Sequence, residues 1–577
     1  MGESSNDSSN EIPNEAKVDY DDTNWTLIDC PHDMLIVQPF DPDASEHQAF
    51  LQRNSGWYRK HFYVPSEWKN STVWIEIEGS FHVTTAYLNG KLITNTPHKQ
   101  GYTSFRLRID NMEDLKYSSS DSNVLALFVN ASTGTGWWYE GGGLIRHQTI
   151  VRTNPLHISP DGVFVRGVSV LEYILDYNEK PTQVRSESID IPSSQAKLRV
   201  SIDITDDRKN MDEDVRLNAS VIVLDREDTI LGIKSTSFNT NTSLSLDDFV
   251  FSLSDVNFWS VQNPYLYSIR IELSNENVIL DSVKIDNVGI RDVSFDANEG
   301  LFINDQHVKL RGFCDHSNFG GVGAAVPDRV NLFRAQMLRS IGANSWRMAH
   351  NPPIPIRLGV RNFFLHSINL IQTHPHNTPM PHQIMDRLGM LAMDENRDFG
   401  GRIGQGGITD ETIQDELDDI KDMVRRDRNH PSVFIWSLCN EVGCNNESSA
   451  RAFRDAVKLV DPTRAVTQNH HGTELSTSAL DVQGFSHKHT DDFVTFHKLN
   501  PTKPMVASEC CSCMSQRNID FDFCTQPKDG GCENPAIDLP NGTFYNNNIG
   551  ECTSSQVIES ESLDYVSGTY DSKHQNS

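Results

Sequence analysis

Two uncharged, strongly hydrophobic runs in this chain each end on a glutamate. Ser432 to Gly443 reads Ser-Val-Phe-Ile-Trp-Ser-Leu-Cys-Asn-Glu-Val-Gly, and Pro504 to Glu509 reads Pro-Met-Val-Ala-Ser-Glu. β-Branched and aromatic residues without interspersed charge suit a strand buried on both faces. A carboxylate at the C-terminal tip of such a strand stands where barrel and open-sheet α/β proteins place their chemistry. At one rim, Glu441 and Glu509 would flank a glycosidic bond, one as acid and base, the other as nucleophile. The competing reading is a pair of solvated strand ends, since loops carry much ordinary charge.

The elements that must position this pair lie after Gly300, where strand-like and helical runs alternate. Strands are expected at Val308 to Asp315, Ser345 to His350, Met390 to Glu395, through Glu441, at Ala465 to Asn469, Val482 to His487, and up to Glu509. Helices fall between them. Asp328 to Ile341 sets Val330, Phe333, Met337 and Ile341 on one face, and Thr412 to Arg428 sets Ile413, Leu417, Ile420 and Val424 on another. Seven strands in βα order point to an eight-stranded barrel. Ahead of it, 18–180 carries short alternating runs and the Asn89-Gly90 hairpin signal of a jelly-roll sandwich, and 186–292 has the length and alternation of an immunoglobulin-like sandwich. The stretch 1–17 reads as a disordered leader. The fold class expected is thus multidomain β plus α/β.

At 577 residues the chain is too long for a single core. Its formal net charge of -29 argues against nucleic acid or an anionic membrane as partner, because phosphate binding needs clustered Lys and Arg. No apolar run is long enough to span a bilayer, and Met1 to Asp22 is polar and acidic, unlike a signal peptide. Cys510, Cys511, Cys513, Cys524, Cys532 and Cys552 crowd one end without zinc spacing, so disulfides are the better expectation if the chain is secreted. The compartment and oligomeric state stay open.

The gathered motifs resemble glycoside hydrolase family 2, the β-galactosidase and β-glucuronidase family. Gly56-Trp-Tyr-Arg-Lys-His-Phe and Trp137-Trp-Tyr-Glu-Gly-Gly-Gly-Leu-Ile-Arg-His look like its sugar-binding sandwich. Lys309-Leu-Arg-Gly-Phe-Cys-Asp-His, Trp346-Arg-Met-Ala-His-Asn-Pro-Pro, Met393-Asp-Glu-Asn and Ser437-Leu-Cys-Asn-Glu-Val-Gly are similar to its barrel strand ends. The resemblance implies Glu441 as acid and base, Glu509 as nucleophile, Asn440 on the sugar 2-hydroxyl and Arg347 on the nucleophile's charge. His316, His350 and Asn130 match positions that hold sugar, and the substrate-binding set is completed by His487 and Trp436.

Departures from the family pattern carry their own expectations. His487 falls where members commonly place a tyrosine, and Ser512 where better-known β-galactosidases carry a histidine. The residues after Asp394 lack the carboxylate and histidine that bind magnesium in some members, so no metal is expected to be required. An insertion is expected near 356–384. Leu563-Asp-Tyr-Val-Ser-Gly-Thr looks like the approach to an eighth strand, which gives a (β/α)8 TIM barrel lacking its last strand over 293–577. The leading expectation is a retaining exo-β-glycosidase acting on terminal β-D-galactosides. The alternatives are a β-glucuronidase, a β-mannosidase or an inactive carbohydrate-binding relative.

Overall fold

The structure is a computed structural model and describes residues 12–94, 97–134, 136, 138–169, 194–209, 213–353, 368–369, 384–397, 413–441, 447–470 and 478–509, with short strand pairs between 527 and 543. The first sandwich comprises β1 (Ser55–Val64), β2 (Thr72–Ile77), β3 (Val83–Leu88), β4 (Lys91–Leu92), β5 (Phe105–Arg108), β6 (Ser118–Asn130) and β7 (Gln148–Thr153). One sheet runs β1-β6-β3-β4, and β7-β2-β5 lie in the other. Alternate residues of β2 and β6, Val73, Ile75, Leu125, Leu127 and Val129, face the shared core, as the period of two requires. Asn89 (φ 50°) and Gly90 (φ 82°) turn β3 into β4 with the positive φ values of a tight hairpin.

The second sandwich joins β8 (Leu156–Ser169), β9 (Ala196–Asp206), β10 (Arg216–Leu224), β11 (Ile230–Asn239), β12 (Ser245–Leu253), β13 (Tyr267–Asn275) and β14 (Val278–Val288) in orders β11-β10-β13-β14 and β12-β9-β8. This corrects the expected boundary near 180. β8 pairs with β9 from Leu156–Asp206 to Ser169–Ala196 and buries Leu156, Ile158, Val163 and Val165 in the second core. The leader is also corrected in part. Ala16 is fully buried, and Arg59 Nη1 donates to the carbonyls of Glu15 and Lys17, so 12–17 is docked on the first sandwich. The remainder of the leader, 1–11, lies outside the described residues.

The three short strands β15 (Val293–Asp296), β16 (Gly300–Ile303) and β17 (Gln306–His307) pack Leu301 and Ile303 against Leu391, Met393, Ile435, Val482 and Val506, closing one end of the barrel. The barrel follows as β18 (Gly312–Asp315), α1 (Asp328–Ser340), β19 (Ser345–Met348), β20 (Ile368–Asn369), α2 (Ile384–Leu388), β21 (Leu391–Glu395), α3 (Ile413–Asp427), β22 (Val433–Asn440), α4 (Glu447–Val460), β23 (Ala465–His470), β24 (Gln483–Ser486), α5 (Thr490–Leu499) and β25 (Met505–Glu509). Seven parallel strands pair in chain order, β18-β19-β21-β22-β23-β24-β25. The exception is β20, which pairs antiparallel with β7 of the first sandwich. The rest of the expected insertion, the cysteine-rich stretch with Ser512, and the expected eighth-strand approach lie outside the described residues.

Two sequence expectations meet the wrong side of their elements. α1 buries Asn331 and Ala335, with Leu332 and Leu338 against the barrel, which turns Phe333, Met337 and Ile341 to the surface. Trp436, expected on the substrate, points away from the barrel axis. It packs in the outer layer with Ile420, Met423, Val424, Phe453 and Val457, its Nε1 donates to the buried Asp461 Oδ2 at 3.0 Å, and Arg464 lies over its ring. Strand alternation decides this. Asn440 lines the open end of the barrel, so Trp436 and Leu438 would share its side in a regular strand, but the β22–β23 register shifts between Ser437 and Asn440. Replacing Trp436 by Phe should therefore cost about 2–3 kcal/mol of stability in a denaturant titration, through the lost hydrogen bond and cavity. Sugar affinity should stay unchanged, and a variant of full stability with weakened sugar binding would restore Trp436 to the site.

Candidate active site

Parallel strands present their C-terminal tips at one rim, and this rim collects the polar residues of the barrel. Arg347 lies in β19, Glu395 ends β21, Asn440 ends β22 with Glu441 next in chain, Asn469 lies in β23, His487 follows β24, and Glu509 ends β25. Glu441 (φ 23°) and His487 (φ 53°) both adopt left-handed backbone, an uncommon conformation for residues with a side chain. The chain thus turns sharply as it leaves β22 and β24, and the strain is of the kind that surrounding structure must hold in place.

Arg347 organises the floor of the site. It is buried, and its Nε and Nη2 donate to Glu395 Oε2 at 2.9 Å and Oε1 at 3.0 Å, a two-point contact suited to a planar guanidinium. Its Nη1 reaches Glu509 Oε2 at 2.7 Å, and Nη2 also reaches Asn440 Oδ1 at 2.6 Å. Glu395, fully buried, further accepts from Ser437 Oγ at 2.8 Å and from Asn469 Nδ2, and it lies 2.8 Å from His350 Nδ1. Burial alone would raise the Glu395 pKa, but Arg347 and His350 outweigh it and hold the carboxyl below its ordinary value. From β18, Cys314 Sγ contacts Ser508 O at 3.0 Å, which brings the two ends of the seven-stranded sheet together.

Glu441 and Glu509 stand on either side of His487. Its Nε2 is 3.2 Å from Glu441 Oε1 and 3.3 Å from Glu509 Oε1. The first contact is short but poorly directed, for Glu441 Oε1 is buried without a hydrogen-bond partner. The carboxylates raise His487 to about 10, Glu441 contributing most and Glu509 next, so the ring is an imidazolium at neutral pH. Burial pushes Glu509 up, yet His487, Arg347 and His350 together hold it well below the usual carboxylate range. Glu509 is therefore a stable anion. One ligand atom from each of Glu441, His487 and Glu509 lies within 4.8 Å of the others, and among the described residues this group could hold a metal ion. Facing oxygens this close put the pair nearer the narrower glycosidase spacing of about 5–5.5 Å than the roughly 6.5–9.5 Å that leaves room for a water.

The first sandwich completes the rim through Trp138. Its ring stacks on His316 at 4.7 Å and meets His350 edge-on at 5.1 Å. His316 Nδ1 lies 3.2 Å from Ala349 O, and burial pushes the ring down to about 3, leaving it neutral. The loop is tied to the barrel by Asp33, which accepts from Tyr139 OH at 2.9 Å and from Ala324 N at 2.8 Å. Asn130, expected to reach in from this sandwich, instead closes a local turn, its Oδ1 accepting from Ser132 N at 2.9 Å and Oγ at 2.6 Å. Trp137 lies outside the described residues.

Of the expected residues, Glu441, Glu509, Asn440, Arg347, His350 and His487 come together, with His316 beside them against Trp138, while Asn130 and Trp436 do not join. Sequence reasoning did not assign Glu395, Ser437 and Asn469. Glu395 was signalled by an acidic pair ending a hydrophobic strand at Met393-Asp-Glu-Asn, but Asn469 carries no such mark.

Comparison with known proteins agrees with this architecture. Residues 363–518 match the model described as glycosyl hydrolases family 2, TIM barrel domain, and 182–291 match that of glycosyl hydrolases family 2. Beta-galactosidase BoGH2A of Bacteroides ovatus is 27% identical over 550 residues, spanning 87% of this chain and 58% of its own. A beta-glucuronidase of Bacteroides fragilis is 24% identical over 460 residues, spanning 76% of this chain and 57% of its own. The crystal structure of a glycosyl hydrolase family 2 member from Bacteroides cellulosilyticus superposes with a TM-score of 0.72 at 26% identity, covering 86% of this chain and 59% of that one. The chain spans about half the length of the curated relatives it matches. Two sandwiches followed by a parallel barrel, with family matches to the second sandwich and to the barrel, make this chain similar to glycosyl hydrolase family 2 in both sequence and architecture.

Proposed function

We propose that this chain hydrolyses terminal β-D-galactosides with retention of configuration. The observation that carries the reading is the pair Glu441 and Glu509, with an oxygen of each within 4.8 Å across His487 and with Arg347 on Glu509 alone. Glu509, kept anionic by Arg347 and His487, attacks the anomeric carbon while Glu441 gives its proton to the leaving oxygen. The glycosyl ester on Glu509 is then hydrolysed by water, which loses a proton to Glu441 as it attacks. Asn440, fixed by Arg347, is placed to meet the sugar beside the nucleophile.

Relatives named beta-galactosidase and beta-glucuronidase both match, so a glucuronide is the second reading. A glucuronate carboxylate needs a cation of its own, and the buried guanidinium of Arg347 is already taken by Glu395 and Glu509. That occupancy supports an uncharged sugar. A panel of nitrophenyl β-D-galactoside, glucuronide and mannoside separates the readings. The galactoside should be turned over fastest, and binding without release on all three would point to an inactive carbohydrate-binding relative.

Glu509→Gln should lower turnover by about 10³-fold or more, as loss of a nucleophile does. A 2-fluoro β-galactoside should esterify Glu509 in the unaltered chain, and a label found on another residue would overturn the assignment. Glu395→Gln removes the charge that holds Arg347 without touching substrate. It should reduce kcat by about 10–100-fold, in the range of supporting residues around an active group, and leave Glu509 labelled at a slower rate. Wild-type kinetics in that variant would show that Arg347 needs no such support.

A further inference from the structure

The contacts of His487 have a second meaning. A single ring N–H cannot aim along both the 3.2 Å line to Glu441 Oε1 and the 3.3 Å line to Glu509 Oε1. A tetrahedral ion with bonds of about 2.0–2.1 Å to nitrogen and oxygen holds neighbouring ligand atoms roughly 3.3–3.4 Å apart. Two edges of the triangle already have that length, and the third, between the carboxylate oxygens, is within 4.8 Å and can be shortened by carboxylate rotation. Glu441 Oε1 is buried, and its 3.2 Å contact with His487 is the one that an ion between the two side chains would take over.

The three side chains leave the ends of β22, β24 and β25, strands of one sheet, and their spacing is set by the barrel before any ion arrives. Each is partly exposed, at 24%, 26% and 13% for Glu441, His487 and Glu509, so an ion can enter from solvent and keep water on its remaining positions. Arg347 occupies Glu509 Oε2 and leaves Oε1 facing His487. A metal ion takes the neutral ring, so its binding displaces the proton of the His487 imidazolium and puts the ion's charge between the two carboxylates in its place.

We propose that Glu441, His487 and Glu509 form a binding site for one divalent transition ion of the Zn²⁺ class, and that the ion reversibly shuts the sugar site. One imidazole and two carboxylates favour Zn²⁺, Co²⁺ or Ni²⁺ over Mg²⁺, which demands octahedral oxygen and retains its water. Binding depends on these three residues alone, whereas the shutting of the site rests on the proposed role of Glu441 and Glu509.

The test is titration of the full, tag-free chain with Co²⁺, followed by its visible absorption, and with Zn²⁺ by calorimetry. One ion per chain should bind, with the intense visible bands of low-coordinate Co²⁺. His487→Phe should weaken binding by about 100-fold or more, the loss of a ligand exceeding the 10–100-fold typical of a supporting residue. Should that variant misfold by circular dichroism, Glu441→Gln serves the same purpose. No saturable binding at millimolar ion, or binding unchanged in both variants, overturns the proposal. The two readings separate cleanly: hydrolysis of a nitrophenyl glycoside indifferent to Zn²⁺ sinks the ion site and spares the glycosidase, while Co²⁺ bound through His487 in a chain without hydrolysis does the reverse.

Discussion

A buried guanidinium with nowhere to send its charge governs the polar end of this barrel. Removing Arg347 from water is costly unless its donors are met by acceptors of opposite charge in good geometry. Glu395 answers on one edge and Glu509 on another, with Asn440 between them. Because these partners sit on β21, β25 and β22, satisfying one side chain of β19 fixes the tips of four strands at once. The same demand accounts for Glu395, a carboxylate buried completely yet held ionised by Arg347 and His350 against the effect of burial. Breaking this network would leave a stranded charge, so its geometry is imposed by stability as well as by chemistry.

The first sandwich takes part in that arrangement. Its Asp33 bonds to the barrel loop at Ala324, Thr103 Oγ1 donates to Asp419 Oδ1 at 2.6 Å, and Arg146 Nη2 donates to Pro352 O at 2.5 Å, just past His350. Asp419 also accepts from Arg397 Nε at 3.1 Å, and Arg397 follows Glu395 by two residues. The loop that carries Trp138 onto His316 and His350 is thereby clamped at several points of the barrel rim. A side chain from one folding unit becomes a wall of the site built by another, and the stacked, neutral His316 belongs to both.

Much of this was legible because burial leaves a mark on sequence. An uncharged β-rich run that ends in a carboxylate announces a strand and its functional tip together, which is why Glu441 and Glu509 stood out. The alternation of helix and strand likewise announced a parallel barrel. Where the sequence misled, the missing information was which way an element faces. The apolar residues of α1 have helical spacing on two sides, and only packing decides that Ala335 goes inward and Phe333 outward. Trp436 differs from a sugar-stacking tryptophan by strand register, set through a partner strand far along the chain. β8 alternates well enough for either sandwich, and its partner β9 lies beyond a long connection. Asn469 is polar in a polar neighbourhood, and its part in holding Glu395 exists only in three dimensions.

The proposed division of labour between Glu441 and Glu509 rests on these contacts more than on the residues themselves. Both are glutamates at strand ends, and both touch His487. Glu509 alone has a second cation, Arg347, on its other oxygen. While Glu509 is an anion, the positive charges of Arg347 and His487 have a partner in it. In the proposed reaction esterification removes the charge of Glu509; Arg347 keeps Glu395, and His487 is left with Glu441 as its neighbouring carboxyl. Glu441 is the carboxyl that would take up the water's proton in the second half of the proposed double displacement. In that proposal the exchange of roles between acid and base needs no movement of the protein, only the transfer of one negative charge from one side of His487 to the other.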